Sequence, residues 1–108
     1  MEEIRVNEYI RTKKYICKVT KIMEQDEELP LYYCTDLGFG FLEKDILNHS
    51  FELMDLIEKG DYVNGEYVTD TWNGNRIETH RSNFHEDNIK SIVTKEQFES
   101  MQYIVEKV

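Results

Sequence analysis

Chemistry in a chain of 108 residues has to come from its histidines, thiols, cations and carboxylates, so these are taken first. His80, His85 and Asp87 fall close together, and His80-x₄-His85 has the spacing of half a zinc site. The other half is missing, because Cys17 and Cys34 are too far apart to act as the second pair. Three solvated loop histidines, with no metal, is the expectation. A nucleophilic thiol needs an adjacent base and an electropositive setting. Neither cysteine has a histidine at a recognisable spacing, and Lys18 points to the opposite strand face from Cys17. Gly38 and Gly40 are isolated, so no phosphate-cradling glycine loop is present. The residues point away from an enzyme, and no cofactor is expected.

Two charged sets remain. Residues 4–21 hold Arg5, Arg11, Lys13, Lys14, Lys18 and Lys21 against Glu8 alone, leaving −14 on the rest of a chain whose net charge is −9. Arg11, Lys13, Lys14 and Lys18, with Tyr15 or Tyr32 alongside, form a candidate site for a phosphorylated ligand. The competing reading is a solvated strand face that protects a sheet edge with lysine. The surrounding negative charge repels a long nucleic acid and affects a small ligand less. The second set is acidic: Asp26, Glu27, Glu28, Asp55, Glu58, Asp61 and Glu66. Arranged in a rigid row, these carboxylates would compete for a nucleic-acid-binding groove; otherwise they keep the domain soluble. Trp72 is a candidate anchor for a protein partner, since tryptophan is enriched at hot spots.

These residues must be placed by strands. Leu53 to Val68 is an apolar lead-in, a Lys59-Gly60-Asp61 bend, and two short strands around Asn64-Gly65. Asn-Gly between β-prone residues marks a type I′ hairpin, because both central positions need φ > 0. That turn sets Val63 opposite Glu66 and Tyr62 opposite Tyr67. Period-2 patterns predict strands over 4–10, 15–23, 31–35, 39–42, 66–72, 76–80 and 88–93. Arg11-Thr12-Lys13-Lys14 reads as a polar turn, 43–48 as a short helical turn, and 81–87 as irregular. Periodicity does not separate helix from strand over 51–58. Thr94-Lys95-Glu96-Gln97 fits a capping box, opening a two-turn helix with Phe98 and Met101 on its buried side. Residues 102–107 close the chain as a last strand.

The fold class is mainly β: a small antiparallel barrel in one domain, with one short C-terminal helix before the last strand. An echo runs through it. Glu8-Tyr9-Ile10 leading to Tyr15-Ile16 resembles Asp61-Tyr62-Val63 leading to Tyr67-Val68, an acid-Tyr-aliphatic opening before each hairpin. The N-terminus lacks a signal peptide and no apolar run approaches a membrane span, so a cytoplasmic location with reduced thiols is expected.

Residues 58–65, Glu-Lys-Gly-Asp-Tyr-Val-Asn-Gly, and residues 89–99, Ile-Lys-Ser-Ile-Val-Thr-Lys-Glu-Gln-Phe-Glu, carry a resemblance. With Glu8 to Lys13 and Asn48-His49-Ser50, they resemble small phage and prophage proteins of Gram-positive bacteria. The resemblance implies an SH3-like barrel and a phage context. It also implies an interaction role of the kind shown by anti-CRISPR inhibitors of host defence. The expected partner is a host protein, such as a nucleic-acid-binding nuclease, with no membrane. A small-molecule binder that sequesters a nucleotide immune signal, and a homo-oligomeric phage accessory protein, are the alternatives.

Overall fold

The computed structural model describes residues 3–24, 30–72 and 76–101. The described residues are mainly β, with ten strands in two antiparallel sheets and one short helix among them. The strands are β1 (Tyr9–Thr12), β2 (Ile16–Met23), β3 (Tyr32–Thr35), β4 (Gly40–Leu42) and β5 (Ile46–Ser50). They continue as β6 (Tyr62–Val63), β7 (Glu66–Trp72), β8 (Arg76–Thr79), β9 (Asn83–Phe84) and β10 (Ile92–Val93), before helix α1 (Lys95–Met101). The first sheet runs β4-β3-β2-β1-β5 and the second β10-β6-β7-β8-β9. Among the described residues no helix is long and apolar enough to cross a membrane.

The central hairpin forms as its turn chemistry requires. Asn64 and Gly65 take φ of 53° and 80°, and the register pairs Tyr62 with Tyr67 and Val63 with Glu66. The two tyrosine rings meet edge to face at 5.6 Å. The N-cap also forms: the Thr94 hydroxyl accepts the Gln97 N–H at 3.2 Å. Other boundaries moved. Strand β1 begins at Tyr9, because Asn7 turns the chain at φ 76°. Ile46–Ser50 is a strand where a helical turn was expected, since the turn is only the 3₁₀ segment Glu43–Asp45. Residues 88–93 keep only Ile92–Val93 as strand, after a 3₁₀ turn at Glu86–Asn88. Phe98 stacks on Tyr62 at 4.2 Å, but Met101 is 60% exposed and not on a buried face. The expected strand at 102–107 lies outside the described residues.

The two sheets repeat one design. In each, four strands follow in order and the fifth returns to pair with the first across a 3₁₀ turn. The backbone hydrogen bonds match residue by residue. Glu8 N–H donates to Arg5 O and Asp61 N–H to Glu58 O, both at 3.1 Å. Val19 N–H donates to Glu8 O and Val68 N–H to Asp61 O, both at 2.8 Å. Asn7 and Gly60, both at positive φ, donate to Val19 O and Val68 O. A register shift follows Val19 and again Val68. Thr35 and Thr79 then cap equivalent turns, each hydroxyl accepting an N–H at 3.3 Å, from Leu37 and Arg81. The acid-Tyr-aliphatic echo is thus a structural repeat, with one correction: Lys18-Val19, not Tyr15-Ile16, is the counterpart of Tyr67-Val68.

Each half has its own core, one around Ile4, Ile10, Val19, Tyr33 and Ile46, the other around Ile57, Val63, Val68 and Ile77. Between them sits a buried charge pair. Arg11 is 1% exposed and Asp61 0%. The Arg11 guanidinium donates to both Asp61 oxygens, at 2.5 and 2.8 Å, and to Leu56 O at 2.9 Å. Its rim is completed by Glu58 and Glu96, each at 3.2 Å. Asp61 also accepts the N–H groups of Glu58 and Lys95, at 2.8 and 2.9 Å.

Burial, helped by Asp36, pushes the Cys17 thiol up to about 11 from 9.0, against a hydrogen bond with Thr35 that lowers it. The folded state keeps this proton while the unfolded chain begins to release it near the ordinary thiol value. Stability fully present below pH 9 is therefore lost as pH rises toward about 11. In Cys17→Ala the urea midpoint should fall less steeply across that window. Parallel curves for the two proteins would show that another group, such as the Tyr33 phenol that burial also raises, governs the decline.

Candidate functional site

The halves also differ where β1 meets β2. In the second half, two residues separate Val63 from its partner Glu66. In the first half, the paired residues Ile10 and Cys17 enclose the longer stretch 11–16. Every basic residue proposed for ligand binding except Lys18 lies in that extension. Arg11 leaves it for the interior, which corrects its assignment to an exposed turn. Lys13 and Lys14 stay exposed, and Tyr15 is half-buried against the first core.

The extension is itself anchored. The Thr12 hydroxyl accepts the N–H groups of Lys14 and Tyr15, at 3.3 and 3.1 Å, and Thr12 N–H donates to Tyr15 O at 2.8 Å. The Tyr15 ring packs at 5.5 Å on Phe39, edge to face, and at 6.2 Å on Phe41. A cavity of about 440 Å³ opens beside it, lined by Thr12, Lys13, Lys14, Tyr15, Phe41, Lys44, Asp45 and Leu47. Three lysines, one aspartate and two aromatic residues are thus among the residues that line it. Lys44 was not singled out by sequence reading, because β4, the 3₁₀ turn and β5 had to be placed before it could reach the extension.

At the equivalent place in the second half a two-residue turn carries Asn64. There the Asn64 side chain accepts the N–H groups of Lys90 and Ser91, at 2.7 and 3.1 Å, and donates to Asn88 O at 2.8 Å. A short turn braced by one asparagine thus stands where the first half has a longer, lysine-bearing loop.

The remaining predicted residues lie elsewhere. Lys18 sits 5.5 Å over the Tyr9 ring and does not line the cavity. The Tyr32 hydroxyl accepts Gly40 N–H at 2.9 Å and belongs to the β3–β4 pairing. The acidic set does not form a free row. Asp61 is buried with Arg11, which removes it from any surface. Glu58 bonds Lys95 at 2.9 Å besides its contact with Arg11. Asp55 accepts the Ser50 hydroxyl at 2.7 Å, and Glu66 accepts the Thr79 hydroxyl at 2.8 Å. Asp26, Glu27 and Glu28 lie outside the described residues. Trp72 is 47% exposed, donates to Glu78 at 3.0 Å, and carries the Arg76 guanidinium 5.2 Å from its ring centre. Cys17 and Cys34 are free thiols. Among the described residues no three His, Cys, Asp or Glu side chains gather as a metal site.

Compared with protein-family models, with curated proteins and with solved structures, the chain matches none of them.

Proposed function

We propose that the protein is a non-enzymatic binding module whose lysine-lined cavity captures a small anionic ligand bearing a flat ring, of the nucleotide class. One observation carries this reading: Lys13, Lys14 and Lys44 converge with Tyr15 and Phe41 on a single cavity of about 440 Å³. The size suits one small ligand. Ammonium groups match phosphate, and the half-buried rings of Tyr15 and Phe41 offer apolar surface for a base. In the phage setting that the sequence resemblance implies, such a protein holds a host's nucleotide signal away from its receptor in the cytoplasm.

The SH3-like barrel belongs to the same proposal, once in each half. In the first half only the 3₁₀ turn Glu43–Asp45 joins β4 to β5. Such a link spans about 8 Å, whereas strands at opposite edges of a flat five-stranded sheet stand about 19 Å apart. That mismatch supports a sheet curled toward closure.

Calorimetric titration with ADP, ADP-ribose and a cyclic dinucleotide, against adenosine as the uncharged control, tests the site. Binding is expected for at least one phosphorylated probe. Lys14→Glu and Lys44→Glu should each weaken it about tenfold, a change of about 1.4 kcal/mol. Failure of all three probes at millimolar concentration, or equal binding of adenosine, would remove the reading.

A second reading, a host protein such as a defence nuclease as partner, is favoured by Trp72 with Arg76 stacked on it, both hot-spot residue types. Trp72→Ala would then abolish capture of that protein while leaving nucleotide binding intact.

A further inference from the structure

The repeat places Glu8 where the second half has Asp61, since both close the same backbone turn and open equivalent strands. It likewise matches Arg5 with Glu58 and Glu3 with Leu56, at one constant spacing along the chain. In the second half this trio surrounds a guanidinium: Arg11 contacts the Asp61 carboxylate, the Glu58 carboxylate and the Leu56 carbonyl. In the first half the same three positions, with His49 and Phe51, line a cavity of about 470 Å³.

We propose that this cavity is a socket for an arginine side chain of a partner protein, the counterpart of the socket that Arg11 fills. The Glu8 side chain is 7% exposed and held from behind: one oxygen accepts Arg5 N–H at 2.5 Å and the other lies 2.8 Å from His49 Nδ1. A carboxylate held in place by two hydrogen bonds favours a fork-shaped cation over a compact, strongly hydrated one. Phe51, 53% exposed at the rim, supplies a ring face on which a guanidinium stacks. Glu3 adds a second negative charge at the mouth. Arg5 opposes the cation, so Glu3, Glu8 and Arg5 together leave a formal charge of −1. The pair of acids in the other half has no such cation at the position of Arg5, and the socket is correspondingly the weaker of the two.

The test uses the isotope-labelled full chain at pH 8. N-acetyl-arginine amide and N-acetyl-lysine amide are titrated separately while the His49 ring and the Arg5 and Glu8 amides are followed by NMR. Saturable shifts with the arginine probe are expected, with at least fivefold weaker binding of the lysine probe. Glu8→Gln should abolish the response. Glu3→Lys and Phe51→Ala, both surface changes that leave the fold intact, should each weaken it several-fold. The inference is overturned if His49 shows no saturable shift, if the two probes bind equally, or if both surface variants bind as the parent does.

Discussion

Replacing Arg11 with methionine is expected to destabilise the protein by about 3–5 kcal/mol, because it strands an uncompensated carboxylate in the interior. Domains of this size have about 5–15 kcal/mol in all, so a loss of this order is a large share of the total. Asp61 is fully buried, and of its four hydrogen bonds two come from Arg11 and two from backbone N–H groups. Water does not reach it to replace the lost donors. The double variant Arg11→Met, Asp61→Asn should recover at least half of the loss: asparagine removes the stranded charge and still accepts one of the two N–H groups. Urea unfolding of the parent, both single variants and the double variant measures the coupling directly. Additive losses would show that Arg11 and Asp61 do not act as a pair. Arg11 keeps its guanidinium protonated even though burial opposes the charge, because Asp61 and then Glu58 and Glu96 raise its pKa.

Gly40→Ala is the second large effect. A Cβ there would overlap the Tyr33 carbonyl oxygen and come within 2.9 Å of Tyr32 Cζ. The carbonyl belongs to the β3–β4 backbone and has no freedom to turn away. We expect a loss of about 3 kcal/mol, or roughly 15 °C in melting temperature. The neighbouring Phe41 forms part of the cavity floor, so the same change should weaken nucleotide binding. A melting temperature within a few degrees of the parent would show that β4 moves aside freely. Gly38, by contrast, has nothing within 4 Å of an added Cβ, and its only constraint is φ of 88°.

What was legible in the chain was local. Asn64-Gly65 announced its hairpin and register because left-handed φ at two successive positions leaves few other residues and few other turns. Thr94 announced α1 because a hydroxyl before a polar-apolar run satisfies the first free N–H groups. What stayed hidden was long-range. Arg11 stands in a run of cations that looks solvated, and only its partner fifty residues away explains why it is buried while Lys13 and Lys14 are not. The repeat showed as a three-residue echo and no more. Its evidence is a pattern of main-chain hydrogen bonds, and backbone groups do not constrain which side chains sit on them. Loops of unequal length then shift the alignment between halves, which is how Tyr15-Ile16 came to stand in for Lys18-Val19. The cavity was half legible: the lysines of one loop were visible, but Lys44 and Phe41 join them only once β4, the 3₁₀ turn and β5 are in place.

The matched halves have a consequence for how such a molecule arises. Each sheet draws all its strands from one contiguous stretch, β1 to β5 before residue 51 and β6 to β10 after residue 61. A gene for one stretch, copied in tandem, would produce this arrangement, and before the copies fused the ancestor would have been a homodimer. The two stretches differ at one loop: the first carries a longer cationic segment, and the second a short turn and the carboxylate that receives that segment's arginine. Severed between the two stretches, neither fragment could stand alone comfortably, because each would expose its share of a charged bond made for the other.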